Sequence, residues 1–243
     1  MITSKQNAII KEIRSLSDKK YRDSLGLYVI ESVKLVKEAI DLNLPVKVIV
    51  GTEKALSLLG AFSVKSETVS EELYEYVSGQ VSPQGVLAVV EKPLNEEFLG
   101  NGCSLLLDGV SDPTNVGAII RTAAASGYKT IYMTEECADP FSPKAVRSAM
   151  GGIFRVNVLR ESAKNLLEKI KSPIVVADMN GKNVFKESLD GDFCLVIGNE
   201  GKGVSDFVKN RATHTVSIPM ENGMESLNAA VSAGILMYNL KRK

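Results

Sequence analysis

The second half of the chain alternates short apolar runs with longer amphipathic stretches, and this alternation restricts the fold more than any other feature of the sequence. The apolar runs predict strands at 103–108, 129–134, 154–159, 174–178, 192–198 and 213–218. The stretches that follow them predict helices at 115–126, 142–150, 162–171, 204–210 and 225–241. Because strands joined through helices pair in parallel and bury both of their faces, we predict an α/β fold with a mostly parallel sheet covered by helices on both faces.

The first 90 residues mix shorter strand and helix patterns and predict a separate small α/β domain. Strands are expected at 27–30, 46–50 and 86–90, and helices at 32–42, at 53–59 and from residue 70. The first pattern, over 5–20, is a basic amphipathic helix. A polar stretch over 91–102, interrupted by proline and glycine, is the predicted linker. We therefore predict one domain over residues 1–95 and a second over residues 103–243.

The charge balance argues against a protein coated with basic groups for indiscriminate nucleic-acid binding. Lysine and arginine total 29, aspartate and glutamate also total 29, and the net charge is zero. A local excess exists over 1–22, where six basic residues face two acidic ones. Any contact with RNA must therefore come from a local basic surface. The solvated face of a first helix explains this excess equally well.

The cysteine, histidine and hydropathy patterns exclude several classes of protein. Three widely spaced cysteines without a CxxC pair predict free thiols and a cytoplasmic location rather than a disulfide framework. His214 is the single histidine, so we expect no metal site. Nothing at the N-terminus is typical of a signal peptide, and no apolar run approaches the length of a membrane span. We expect no membrane partner.

Three polar loops follow predicted strands of the second domain and are expected to meet in one site. The stretches that contain them are 107–121 (LDGVSDPTNVGAIIR), 195–203 (LVIGNEGKG) and 218–228 (IPMENGMESLN). In an open α/β sheet, loops at the carboxyl ends of the strands line the ligand crevice. The second loop has neither the GxxxxGK[ST] nor the GxGxxG spacing, which disfavours a nucleotide-dependent enzyme.

Together these stretches resemble the three signature motifs of the SpoU (TrmH-like) RNA ribose methyltransferases of the SPOUT class. The resemblance implies transfer of a methyl group from S-adenosyl-L-methionine to a ribose 2'-hydroxyl of rRNA or tRNA. It implies catalytic roles for Arg121, Asn115, Glu200, Ser226 and Asn228. It implies cofactor contacts for Gly198, Ile218, Leu227, Met220, Glu200 and Gly203. It further implies a C-terminal trefoil knot and a homodimer whose interface uses the first and last helices of the catalytic domain.

The chemistry of Arg121 has two interpretations. In the resembling family this arginine is proposed to take the proton from the ribose 2'-hydroxyl. A guanidinium group resists deprotonation inside proteins, and stabilisation of the developing alkoxide is the commoner large effect. Both interpretations remain open from the sequence. Ser226, taken without the motif, is simply a helix cap.

The first domain resembles the small substrate-binding domain that precedes many SpoU catalytic domains and that is similar to RNA-gripping ribosomal proteins. Ser32 stands where that family usually carries glycine after the glutamate. The resemblance implies that this domain binds the RNA. We predict RNA contacts for Lys19, Lys20, Arg22, Lys144 and Arg147, although the last two are equally well explained as surface charges.

Two other functions remain as alternatives. The first is an RNA-binding protein that keeps the fold without catalysis, and the retained motif residues argue against it. The second is a nucleotide-dependent α/β enzyme, which the loop spacing disfavours.

Overall fold

The computed structural model describes residues 1–93 and 102–241, which fall into two compact units. The first unit contains residues 1–93 together with Phe141–Gly151, and the second contains residues 102–140 and 152–241. Most of the linker predicted at 91–102 lies outside the described residues. The predicted domain limits at 95 and 103 therefore stay a prediction.

The strands and helices are numbered along the chain. The strands are β1 Leu27–Glu31, β2 Val46–Gly51, β3 Ser66–Thr68, β4 Val86–Glu91, β5 Ser104–Asp108, β6 Thr130–Thr134, β7 Asn157–Glu161, β8 Ile174–Asn183, β9 Cys194–Gly198 and β10 His214–Ser217. The helices are α1 Ala8–Ser15, α2 Lys19–Leu25, α3 Val33–Asp41, α4 Glu53–Ser57, α5 Glu71–Val77, α6 Pro113–Ser126, α7 Pro143–Ala149, α8 Ala163–Lys169, α9 Asp206–Lys209 and α10 Ala229–Leu240. Short 3₁₀ helices lie at Met150–Phe154 and Val184–Lys186.

The first unit is built on a four-stranded sheet with the order β1-β4-β2-β3. Strand β4 is antiparallel to both of its neighbours, and β2 pairs with β3 in parallel. Its core buries Ile10 and Ile13 of α1, and Leu16 directly after α1, in one cluster with Leu87 and Val89. The predicted apolar stripe of the first helix therefore faces a core.

The helix predicted over 5–20 is wrong in extent, because two helices occupy this region. The side chain of Asp18 accepts the N–H of Lys20 at 2.9 Å and starts the second helix. A chain that reaches a good N-cap after eight helical residues can begin a new helix in another direction. The basic residues of α1 and α2 therefore do not share one helical face.

Ser32 adopts a backbone conformation that favours glycine, with φ of 138°. This agrees with the glycine that the resembling family carries here. The hydroxyl of Ser32 accepts the N–H of Leu35 at 3.1 Å and caps α3. A serine at this position therefore gains a capping hydrogen bond that a glycine lacks, and this gain opposes the cost of its backbone conformation.

The second unit contains a six-stranded sheet with the order β10-β8-β9-β5-β6-β7, and every pair in it is parallel. This confirms the predicted α/β class with a mostly parallel sheet. Apolar side chains of β5, β8 and β9 share a cluster with side chains of α8 and α9. Helix α10 packs against α6 and β9, and α8 packs against β6.

Several element limits in this unit differ from the predictions, and three of them are the starts of elements near the site or at the edge of the sheet; the end of β8, at Asn183 instead of residue 178, is another. Helix α6 begins at Pro113 instead of residue 115, because Asp112 caps it and proline suits the first helical position. Strand β7 begins at Asn157, after the 3₁₀ helix Met150–Phe154. Helix α10 begins at Ala229 instead of residue 225, because Asn228 is its cap.

Within the described parts of the chain, none of the helices has the length and apolar character that crossing a membrane requires.

Candidate active site

The loops that follow β5 and β9 lie side by side, because these strands are parallel neighbours with Asp108 opposite Gly198. Two hydrogen bonds fasten the loops together. The carboxylate of Asp108 accepts the N–H of Ser205 at 2.7 Å, and the amide of Asn199 donates to the carbonyl of Gly109 at 2.8 Å. The first two motif stretches are therefore held at one edge of the sheet, as predicted from the positions of their strands.

The carboxylate of Glu200 accepts four hydrogen bonds from the first motif. The donors are the backbone N–H groups of Ser111 and Asp112, both at 3.2 Å, the hydroxyl of Ser111 at 3.0 Å, and the side-chain amide of Asn115 at 2.9 Å. Because a carboxylate has about four lone-pair positions, its capacity is filled. Glu200 therefore organises the loops of this site.

The electrostatics of Glu200 agree with this role. Partial burial alone would raise the pKa of the Glu200 carboxyl. The hydrogen bonds from Asn115 and from the backbone of Glu200, Ser111 and Asp112 outweigh burial and hold the pKa below its ordinary value. The side chain is therefore an anion at neutral pH and a poor proton acceptor.

Asn115 connects Glu200 to the third motif. It is 8% exposed, and its side-chain oxygen accepts the amide of Asn228 at 2.9 Å. The oxygen of Asn228 accepts the N–H groups of Ala230 and Val231 at 2.9 and 3.3 Å. Each amide group therefore has its oxygen and its nitrogen fixed by a partner. We call these three side chains the Asn115–Glu200–Asn228 cluster.

The glycine-rich loop folds back on itself. Asn199 and Gly203 exchange two backbone hydrogen bonds at 3.0 and 2.9 Å. A Cβ atom on Gly198 would lie 2.3 Å from the carbonyl carbon of Gly203 and 2.3 Å from the nitrogen of Val204. The position requires glycine because of the chain's own backbone, which the sequence pattern alone could not distinguish from approach to a ligand.

The segment between β10 and α10 carries the remaining predicted cofactor residues. Ile218 and Met220 are half-buried and Leu227 is 37% exposed, so apolar side chains here are accessible. Asn222 has φ of 55°, a left-handed conformation that asparagine tolerates better than most residues. Ser226 is exposed and precedes the helix by three residues, so the alternative interpretation of Ser226 as a helix cap is wrong.

Arg121 lies on the exposed side of α6. It follows Asn115 by six residues, which places the two side chains about 120° apart around the helix axis. The backbone of Gly152 packs directly against the backbone of Arg121, since a Cβ atom on Gly152 would lie 2.8 Å from the Cα of Arg121. Among residues 1–93 and 102–241, no hydrogen bond joins Arg121 or Ser226 to the Asn115–Glu200–Asn228 cluster.

Arg22 does not fit the predicted RNA contacts. It is 3% exposed, and its guanidinium donates to the carbonyls of Leu16 and Ser17 at 2.7 and 2.8 Å, so it holds the turn between α1 and α2. Lys19 is exposed and forms an ion pair with Asp23. Arg22, with its buried guanidinium bonded to two backbone carbonyls, is therefore a structural residue.

The other predicted RNA contacts keep exposed side chains. Lys20 and Lys144 are exposed. The exposed guanidinium of Arg147 donates to the carbonyl of Gly79 at 2.8 Å. Within the described residues, no group of three or more histidine, cysteine, aspartate or glutamate side chains is arranged to hold a metal ion.

Two residues of the site were not predicted from the sequence to have a functional role. Ser111 gives Glu200 two of its hydrogen bonds, and Asp108 ties the β5 end to Ser205. Both lie within the first motif stretch. In the sequence, the indication of such a role is a polar side chain at the end of an apolar strand, for Asp108, or shortly after it, for Ser111.

Each half of the sequence matches the model of a known protein family. A model described as the SpoU rRNA Methylase family matches residues 102–238. A model described as the MRM3-like substrate binding domain matches residues 7–88.

Individual relatives match over nearly the whole chain. The 23S rRNA (guanosine(2553)-2'-O)-methyltransferase RlmP of Bacillus subtilis (strain 168) is 32% identical over 246 residues, which cover 99% of this chain and 98% of that protein. The crystal structure of an AdoMet-bound rRNA methyltransferase from Sinorhizobium meliloti has a TM-score of 0.86 and 30% identity, covering 98% of this chain and 95% of that chain. The SpoU methyltransferase AviRb from Streptomyces viridochromogenes, in complex with AdoMet, has a TM-score of 0.87 and 27% identity, with 96% and 97% covered.

Proposed function

This chain belongs to the SpoU rRNA methylase family and is an S-adenosylmethionine-dependent RNA 2'-O-ribose methyltransferase, and we propose that its active site is assembled around the Asn115–Glu200–Asn228 cluster. The observation that carries the proposal is that one amide, that of Asn115, hydrogen-bonds to residues from both other motifs. Three loops distant in sequence are thereby fixed in one geometry. Fixed geometry is what a methyl transfer needs most, because proximity and orientation can supply roughly 7–11 kcal/mol.

The residues present fit S-adenosyl-L-methionine. The accessible apolar side chains of Ile218, Met220 and Leu227 suit the faces of an adenine ring, and Gly203 lies in an exposed loop where it has no side chain to obstruct a ligand. We propose that these residues, with Gly198 and Glu200 shaping the loop, hold the cofactor. When bound, the cofactor supplies a methyl group on a positively charged sulfur that leaves readily. The protein's task is then to orient the acceptor and exclude water.

We propose that Arg121 acts on the ribose 2'-oxygen as an electrostatic stabiliser. A guanidinium group resists deprotonation and is suited to stabilising negative charge that develops on the hydroxyl oxygen. Glu200 is a poor proton acceptor because its lone pairs are occupied, so we propose that the 2'-hydroxyl proton passes to solvent as the carbon–sulfur bond breaks and the oxygen–carbon bond forms. Ser226 and Asn228 are proposed to contact the acceptor ribose, with Asn228 held rigid by its cap to α10.

The substrate proposal extends to the first unit. The match of residues 7–88 to a substrate-binding domain supports rRNA or tRNA recognition there. The exposed cations Lys19, Lys20, Lys144 and Arg147 are proposed phosphate contacts, whereas Arg22 is left out because it is buried. Phosphate contacts of this kind position an RNA without reading its sequence.

The knot, the helical cover of both sheet faces and the homodimer are also proposals. The order β10-β8-β9-β5, with α10 returning to pack on α6 and β9, supports a threaded C-terminus. Val231 and Tyr238 of α10 are 51% and 54% exposed and lie two turns apart on one side, which supports an apolar contact with a second copy. A cytoplasmic location is supported by relatives named as bacterial rRNA methyltransferases.

The experiment that tests this site measures methyl transfer from labelled S-adenosylmethionine to unmodified rRNA and tRNA, with ribose methylation mapped by resistance to alkaline cleavage. Arg121→Ala should retain cofactor binding within about twofold and lose at least 100-fold in turnover, as expected for loss of one transition-state donor. Arg121→Lys keeps the charge without the fork of donors and should recover only part of the rate. Full turnover by Arg121→Ala would remove Arg121 from the proposed chemistry.

A further inference from the structure

The first unit contains a pocket of about 170 Å³ that the methyl-transfer site does not use. Its buried lining is apolar, with Leu16, Leu35 and Val77, whereas Arg14 and Arg147 line it from exposed positions. Ligand pockets for drug-sized molecules span roughly 300–1,000 Å³, so this one suits a single ring system.

The cations beside the pocket are held in place. The guanidinium of Arg14 lies 4.5 Å from the ring centroid of Tyr76 and donates to the carbonyl of Tyr76 at 2.9 Å. The ammonium of Lys5 lies 4.5 Å from the same ring, and Arg147 donates to the carbonyl of Gly79 at 2.8 Å. Two positive charges thereby line the pocket, and Lys5 lies beside one of them on the Tyr76 ring, an arrangement that is complementary to a nucleic-acid backbone.

Glu31 also lines the pocket, and its carboxylate is oriented by three donors. These are the hydroxyl of Tyr74 at 3.0 Å, the hydroxyl of Ser78 and the N–H of Gly79 at 3.3 Å. A carboxylate has about four lone-pair positions, so room for one further donor remains. A phosphate would be repelled by Glu31 inside the pocket, whereas a neutral ring with an N–H group would be accepted.

We propose that this pocket receives one unpaired nucleobase of the RNA substrate, with Glu31 accepting an N–H of the base and with Lys5, Arg14 and Arg147 binding the flanking phosphates. Proteins commonly recognise RNA by taking up splayed-out bases of single-stranded loops. The proposal rests on the proposed RNA substrate and is independent of the methyl-transfer site. It assigns to the first unit a base-binding role beyond general phosphate attraction.

The test uses the full-length protein and two fluorescein-labelled probes, a single-stranded RNA nonamer of mixed sequence and an abasic nonamer with the same backbone. Fluorescence anisotropy should show at least fivefold tighter binding of the base-bearing probe. Arg14→Ala should weaken binding of both probes at least fivefold and reduce the slope of log affinity against log salt by about 1. Lys11→Ala removes an exposed cation of the same helix that does not line the pocket, and should change affinity less than twofold.

Glu31→Leu removes the acceptor of the proposed base contact together with its negative charge and keeps a side chain of similar size. It should reduce the preference for the base-bearing probe to less than twofold while the abasic probe binds as before or more tightly. Equal binding of both probes by the wild-type protein, or equal effects of Arg14→Ala and Lys11→Ala, would overturn the pocket proposal. Methyl transfer to rRNA is measured in parallel. A wild-type protein that prefers the base-bearing probe without methylating RNA would contradict the proposed active site and leave the pocket supported.

Discussion

Replacing Gly198 with alanine should distort the glycine-rich loop over 198–203, whereas the same change at Gly201 should not. The Cβ of an alanine at 198 would meet the Gly203 carbonyl carbon and the Val204 nitrogen at 2.3 Å. At 201 the added Cβ meets only the side-chain oxygen of Asn199, at 3.7 Å, which is ordinary contact. The two glycines lie three residues apart in one loop and form a matched pair.

The size of the effect follows from the geometry. Ordinary contact begins at 3.4 Å, so the backbone of Gly203 and Val204 must retreat by about 1.1 Å. That movement would break the paired hydrogen bonds between Asn199 and Gly203. Overpacking of this kind costs about 1–3 kcal/mol. If cofactor binding requires the original loop, its affinity falls by the same free energy, or roughly 5- to 150-fold.

Calorimetric titration with S-adenosylmethionine measures this loss, and thermal unfolding shows that the variant remains folded. Gly198→Ala should bind at least fivefold more weakly, and Gly201→Ala should stay within twofold of the wild type. Wild-type affinity of Gly198→Ala for the cofactor would refute this prediction, since the loop would then absorb a displacement of about 1.1 Å without consequence.

Two further predictions concern the Asn115–Glu200–Asn228 cluster. Asn228→Ala should lower the melting temperature by about 2–4 °C, because it loses a helix cap worth about 1 kcal/mol, and it should also slow methyl transfer. Asn228→Ser should restore the melting temperature but not the rate. Equal rates for both variants and the wild type would exclude Asn228 from the site. Because the pKa of Glu200 is lowered in the folded protein, its stabilisation is present above the ordinary value of 4.5 and is lost as pH falls through the folded pKa. The stability difference between wild type and Glu200→Gln, from urea unfolding, should therefore be constant from pH 8 to about 5 and shrink below 4.5; a difference that already shrinks between pH 7 and 5 would contradict this.

The central strands could be predicted almost to the residue. Runs such as 103–108 and 192–198 are predominantly apolar, and the structure has β5 at Ser104–Asp108 and β9 at Cys194–Gly198. Both faces of these strands are buried, so their residues are mostly apolar, and the local composition is enough to identify them as strands. The end of β8 could not be found in this way. Its last residues are polar and pair with β10 across a register shift, so backbone hydrogen bonds define that part of the strand.

The motif residues could be located from the sequence, but their connections could not. The resemblance places Asn115, Glu200 and Asn228 in one site, and the structure joins them directly. The filled lone pairs of Glu200 depend on backbone donors at Ser111 and Asp112, and a sequence does not show where a backbone N–H points. The buried state of Arg22 was hidden for a similar reason, since its acceptors are carbonyl groups.

Asn228 shows why the start of the last helix matters for chemistry. If the helix began at residue 225, Ser226 would be near its cap and Asn228 would lie within its first turn. In the structure the oxygen of Asn228 caps α10, which leaves its amide nitrogen free to donate to Asn115. A serine cap has a single polar atom, so it could donate only from the position at which it accepts the helix N–H groups and not from the separate position of the Asn228 amide nitrogen. The choice of asparagine at the cap therefore couples the position of α10 to the orientation of Asn115, and through Asn115 to Glu200. A displacement of α10 would be transmitted to the candidate active site through two hydrogen bonds.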